Sequence, residues 1–261
     1  MIRSDLEHKL LSGGVINLGD CPTYKVTLKD MADYGFGRMQ DVIALMASDD
    51  AVACKLLSNI DNDIPTFYVL VIGVMQELDQ KTKDGRFECV LYDAAIAFLS
   101  LFFRRNVYFD KNVGFVVKDN LDNILFVLNE DTYDEFRKIL KYRNCLADTD
   151  GLDEDNPANE MAAKLLEKKR MLKAKLAKTR QSQGDNDITM YDLISIFAEA
   201  EKMPLQDVYA NYDMYQFNNQ FNRLRMMDDY HVNIQALMAG AKSEDVKLRH
   251  WISKINTKND E

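Results

Sequence analysis

Residues 189–255 read TMYDLISIFAEAEKMPLQDVYANYDMYQFNNQFNRLRMMDDYHVNIQALMAGAKSEDVKLRHWISKI, the densest run of aromatic and amide side chains in the chain, with its one tryptophan. Thr189 and Asp192 have the spacing of a capping box, in which the two side chains satisfy free amide donors at a helix start. Leu193, Ile194, Phe197 and Ala200 follow at helical intervals. Pro204 lacks an amide proton and has a fixed φ, which suits the first turn of a second helix carrying Leu205, Val208, Tyr209 and Tyr212. Asp213 and Gln216 repeat the capping box and open a third helix, where Phe217, Phe221 and Leu224 fall at i, i+4 and i+7. The expectation is an all-helical module over residues 188–255, with a short tail at 256–261 and no catalytic group in view.

Upstream, the pattern is mixed. Tyr24, Val26 and Leu28 alternate with polar neighbours as a short strand would. Thr27 and Asp30 form another capping box, so a helix is expected from about Leu28. Gly35 and Gly37 should interrupt it, because glycine costs roughly 1 kcal/mol in a helix interior. A second helical piece then carries Met39, Val42, Ile43 and Met46. The two glycines fail as a phosphate loop, since the third glycine and a preceding buried strand are missing. Residues 61–65 read as a loop, 66–79 as a buried helix and 81–86 as a polar turn. From Glu88 to Arg105 the chain is apolar almost all round, which marks a central helix. Val107, Tyr108 and Phe109 lead into GFVVKDNLDNILFVLN, two strand-like runs around a polar turn, a hairpin signal. Asp131 is expected to cap a closing helix striped with Tyr133, Phe136, Ile139 and Leu140.

These readings predict an α+β chain. Residues 1–147 form a mainly helical domain with a small antiparallel sheet, and residues 148–187 form a linker. The linker opens with DTDGLDED, five acidic side chains and a glycine, and continues as a helix with eight Lys or Arg between Lys164 and Arg180 against one Glu. Lys168, Lys169, Arg170 and Lys173 are its candidate surface for an anionic partner. No aromatic residue is interleaved there to stack on bases, which favours a solvated face.

Composition narrows the function classes. The 33 basic and 42 acidic side chains leave a net charge of -9 over 261 residues, against a general grip on nucleic acid. No run approaches the ~20 apolar residues of a membrane span, and the start lacks the apolar core of a secretory signal, so a cytoplasmic protein is expected. The four cysteines and three histidines are too scattered for a metal or dithiol site. Ser195 in LISIF has no glycine elbow and reads as a small packing residue. Neighbouring acidic pairs such as Asp228 with Asp229 do not supply two carboxylates across a cleft. His250 beside Trp251 reads as packing, with His250 bonded to backbone. No catalytic, cofactor or metal residue is therefore assigned, and the chain is expected not to be an enzyme.

Three blocks carry a resemblance: YKVTLKDMADYGFGRMQDVIALM (24–46), NPANEMAAKLL (156–166) and DMYQFNNQFNRLRMMDDYHVNIQALMAGAKSEDVKLRHWISKI (213–255). Together they resemble a family of proteins from the tail gene clusters of bacteriophages that infect Gram-positive hosts. The resemblance implies a chaperone of tail assembly, which holds the tape-measure protein in the host cytoplasm while the tail tube grows. Such a task needs adaptable apolar grooves, and methionine, of which the chain has 13, suits them. The alternative is a structural virion component that contacts tube or baseplate subunits, and homo-oligomers are compatible with either. A regulatory nucleic-acid binder acting through residues 164–180 ranks third.

On the third helix of the module, Tyr215 and Phe217 diverge by about 200°, so one face is left over. Tyr215, Gln216 and Asn219 are the expected partner-binding residues. Phe217, Phe221, Leu224 and Trp251 are expected to hold the module together.

Overall fold

In the computed structural model, residues 3–56, 64–146, 188–241, 246 and 250–252 are described. They form an α+β fold with two small antiparallel sheets. Two compact units emerge, one made of residues 1–146 and 206–261 and the other of residues 147–205.

The larger unit begins with elements that the pattern of residues 1–23 does not announce. Helix α1 (Arg3–Ser12) has Leu10 buried and Leu6 half-buried among polar neighbours, too few apolar positions for a clear period. Strands β1 (Ile16–Leu18) and β2 (Cys21–Thr23) pair around a turn at Gly19, whose φ is +56°. Three-residue strands fall below the length at which alternation is readable. The strand expected at Tyr24–Val26 is not formed. The Tyr24 amide instead donates to the Phe102 carbonyl at 2.7 Å, so this backbone is tied to a helix end and not to a ladder.

Thr27 caps α2 (Leu28–Tyr34) through the expected box with Asp30. Gly35, at φ +123°, ends α2 and starts α3 (Phe36–Ala47), whereas Gly37 sits inside the first turn of α3. Met39, Val42, Ile43 and Met46 are all buried along α3. A short helix, α4 (Asp50–Leu56), precedes α5 (Thr66–Lys83), which runs beyond the expected end at residue 79 and moves the polar turn to residues 84–89.

Helix α6 (Val90–Phe103) is the centre of the unit. It packs against α3 and α5 and buries Ala94, Ala95, Phe98, Leu99, Phe102 and Phe103. The Phe102 ring lies 5.6 Å from Phe98 and 5.5 Å from Phe136. Each such buried side chain contributes about 1.5–3 kcal/mol.

Strands β3 (Asn106–Asp110), β4 (Gly114–Lys118) and β5 (Ile124–Leu128) form the second sheet in that order. Phe109 faces Phe115, and Phe115 faces Leu128, so one face of the sheet meets the core. Asp119 accepts the amides of Leu121 and Asn123 and shapes the hairpin turn. Helix α7 (Glu130–Arg143) closes this part, with the expected stripe of Tyr133, Phe136, Ile139 and Leu140 buried. Its cap is Asn129 and not Asp131. The amide side chain accepts from Thr132, and the Thr132 hydroxyl answers the Asn129 amide.

Next come α8 (Met190–Ala200) in the smaller unit, α9 (Leu205–Asn211) and α10 (Met214–Met238). The boxes at Thr189–Asp192 and Asp213–Gln216 both form as expected. Among the described residues no helix is long and apolar enough to cross a membrane.

Candidate protein-contact surface

Helix α10 is held to its unit by its first turns. Met214 and Tyr215 pack on the core, and Phe217 is the single side chain of this 25-residue helix that is fully buried. The segment before the helix is tied by backbone: Leu28 N–H donates to the Tyr212 carbonyl at 2.9 Å, and Thr27 and Asp213 form an isolated antiparallel bridge. Lys25 Nζ donates to the Asn211 carbonyl at 2.6 Å and to Gln216 Oε1 at 3.1 Å. Gln216 Nε2 in turn reaches the Leu11 carbonyl at 2.8 Å.

At the centre of this contact lies a charged pair. Arg143, in the last turn of α7, is 4 % exposed, and Asp213, the cap of α10, is 2 % exposed. Arg143 Nη2 donates to the Gly14 carbonyl at 2.9 Å and to the Thr23 carbonyl at 3.2 Å. Its Nη1 stands 3.9 Å from Asp213 Oδ2. Among the described residues, Arg143 Nε and Nη1 and Asp213 Oδ2 have no protein hydrogen-bond partner. A cavity of about 10 Å³, room for one water molecule, is lined here by Val26, Phe98, Phe102, Arg143, Asn144 and Asp213. Burial pushes the Asp213 carboxyl above its ordinary range and lowers the Arg143 guanidinium to about 10. Both shifts have the same cause: taking the two groups out of water outweighs their mutual attraction at this separation.

Of the residues read as a partner face, Tyr215 and Gln216 sit at this contact. Tyr215 is half-buried against the core, Gln216 is engaged with Lys25 and Leu11, and Asn219 is half-buried. Phe221 stacks on Phe217 at 5.7 Å, and Leu224 is half-buried. Trp251, expected to cover the module, is instead 37 % exposed. Its carbonyl accepts from Arg223, and its ring lies 5.9 Å from that of His250. His250 bonds to backbone as expected, its Nδ1 accepting from the Ile252 amide at 3.2 Å. Lys168, Lys169, Arg170 and Lys173 lie outside the described residues.

Arg143 is the residue that sequence reasoning passed over, although a signal was present. The stripe Tyr133, Phe136, Leu140 continues at helical spacing to position 143, which places a cation on the buried face of α7. A charged residue in register with an apolar stripe points to a partner that must come from elsewhere in the chain.

In the smaller unit, α8 buries one face and leaves two separate apolar side chains exposed. Ile194, Phe197 and Ala198 are buried, while Tyr191 is 61 % and Ile196 49 % exposed, with Ile188 just ahead of the helix also exposed. Ser195, read as a packing residue, is exposed as well, because it shares the Tyr191 side of the helix.

Residues 178–256 match the family model of the YomV second domain. That family is phage-derived, and the match supports a phage protein. It covers α8, α9 and α10 and less than a third of the chain. No curated protein and no solved structure matches the chain.

Among the described residues no group of three or more His, Cys, Asp or Glu side chains is placed to hold a metal ion. Cys21, Cys54 and Cys89 are buried thiols and Cys145 is half-buried. Burial raises the pKa of Cys21, Cys89 and Cys145, which holds each as the less reactive thiol.

Proposed function

We propose that this phage protein is a non-enzymatic factor in tail morphogenesis that acts in the host cytoplasm as a chaperone of the tape-measure protein. The observation that carries the proposal is the exposure of Tyr191 and Ile196, at the two edges of the solvent face of α8, with Ile188 exposed just ahead of the helix. Exposed apolar side chains at the rims of a helix face suit contact with another amphipathic helix, and a tape-measure protein is long and helical. The phage-derived family of residues 178–256 includes this helix and supports the phage part of the reading.

Mass spectrometry of purified phage particles, compared with infected-cell lysate, tests the proposal. Peptides of this chain abundant in lysate and missing from particles are the expected result. Peptides present in particles at the level of tube or baseplate subunits would overturn chaperoning in favour of a structural role.

A further inference from the structure

The contact that docks α10 combines favourable backbone bonds with an unfavourable charged centre. Leu28, Lys25 and Leu11 each take part in a bond to residues 211–216, and Thr27 pairs with Asp213 across the bridge. In the middle, Arg143 and Asp213 are buried 3.9 Å apart, and three of their polar atoms have no protein partner among the described residues. A buried ion pair offsets its desolvation only where the geometry is close and the remaining donors and lone pairs are met. Here the separation is long, and no protein group among the described residues meets those three atoms.

We propose that the Arg143–Asp213 pair makes the docking of α10 a releasable contact, one that opens while the rest of the unit stays folded. Opening frees Met214, Tyr215 and Phe217 together with Val26, Phe98 and Phe102 beside the cavity. The groups that face Asp213 are Arg143 from α7, Lys25 from the loop before α2, Cys145 just beyond α7, and the Tyr215 and Gln216 amides of its own helix. Because burial raises the Asp213 pKa in the docked state, docked Asp213 holds a proton more readily than released Asp213. Docking is therefore tightest below the ordinary carboxylate range and loosens as pH rises through the docked pKa. Neutral pH is the releasing condition, and removal of both charges should lock the contact.

Amide hydrogen exchange on the full chain tests this, with the Leu28 amide as reporter, since its acceptor is the Tyr212 carbonyl. Tyr24, bonded to Phe102, reports on the neighbouring loop, and the amides of β4 report on global unfolding. In the native protein Leu28 should exchange at least about tenfold faster than β4, after correction for intrinsic rates. D213N keeps a good cap and is neutral like protonated Asp213, so it should slow Leu28 at pH 7 toward its rate at pH 4. R143M/D213N should slow Leu28 about tenfold below the native rate, relative to Tyr24 and β4. Leu28 exchange in the double variant that is as fast as in the native protein, or faster, would overturn the proposal. Should the double variant not fold, the native protein decides. Relative protection of Leu28 must increase between pH 7 and pH 4, and a flat or falling profile refutes the latch.

Discussion

Gly114, at the start of β4, has a φ of +108°, a region that L side chains rarely adopt. A Cβ there would lie 2.6 Å from the Leu128 carbonyl oxygen and 2.9 Å from Phe67 Cζ. One contact is backbone of the paired strand and the other is a buried ring, so neither neighbour can move aside cheaply. G114A should therefore lose about 2 kcal/mol or more of stability, from positive-φ strain plus the clash. Urea unfolding monitored by circular dichroism measures it, and a midpoint unchanged from the native protein would show that the strand end relaxes freely. The strand-like run GFVVK gives no local reason for its glycine. The cause is the register that sets Phe115 against Leu128, and that register belongs to the folded sheet.

At the scale of elements, what was legible depends on whether a segment carries its own information. The three capping boxes at Thr27, Thr189 and Asp213 are local, with both partners within three residues, and each forms. Amphipathic α3 and α7 and the β4–β5 hairpin are local in the same sense. The start of α6 is not. Its cap position, Cys89, makes no side-chain cap bond, and the free amides of Leu91 and Tyr92 are met by the Glu77 carboxylate of α5 at 3.0 and 2.8 Å. A cap borrowed from another helix leaves no spacing signal. E77A should cost about 1–2 kcal/mol, as loss of a charged cap at a helix N-terminus does. E77Q should recover part of that cost, because the amide oxygen still accepts. Equal unfolding midpoints for E77A and the native protein would remove Glu77 from this role. The docking of α10 was illegible for the same reason, since Arg143 and Asp213 meet across 70 positions of sequence.

For the whole molecule, the decisive question is whether the exposed face of α8, with Tyr191 and Ile196 at its edges, serves recognition or stability. Exposed apolar residues add little to folding, so Y191K/I196K should change unfolding free energy by less than about 0.5 kcal/mol. If that side receives a tape-measure helix, two lysines placed on it would have to be desolvated on binding, and affinity should fall by at least about a hundredfold. Co-purification of the tagged native protein and of the double variant from infected cells, with the tape-measure protein quantified in each, separates the two roles. Loss of tape-measure recovery at unchanged stability is the expected outcome. Equal recovery would mean that recognition lies elsewhere, and a large loss of stability would place the side chains in folding. The choice matters for the docking contact too. A chaperone that binds through α8 alone has no need of a releasable α10, whereas one that also opens α10 can adapt its apolar surface to a long and varied helix. Combining Y191K/I196K with R143M/D213N distinguishes these. If the two surfaces act together, locking α10 will weaken tape-measure capture even with α8 intact, and the paired changes will lose less affinity than the sum of the separate losses.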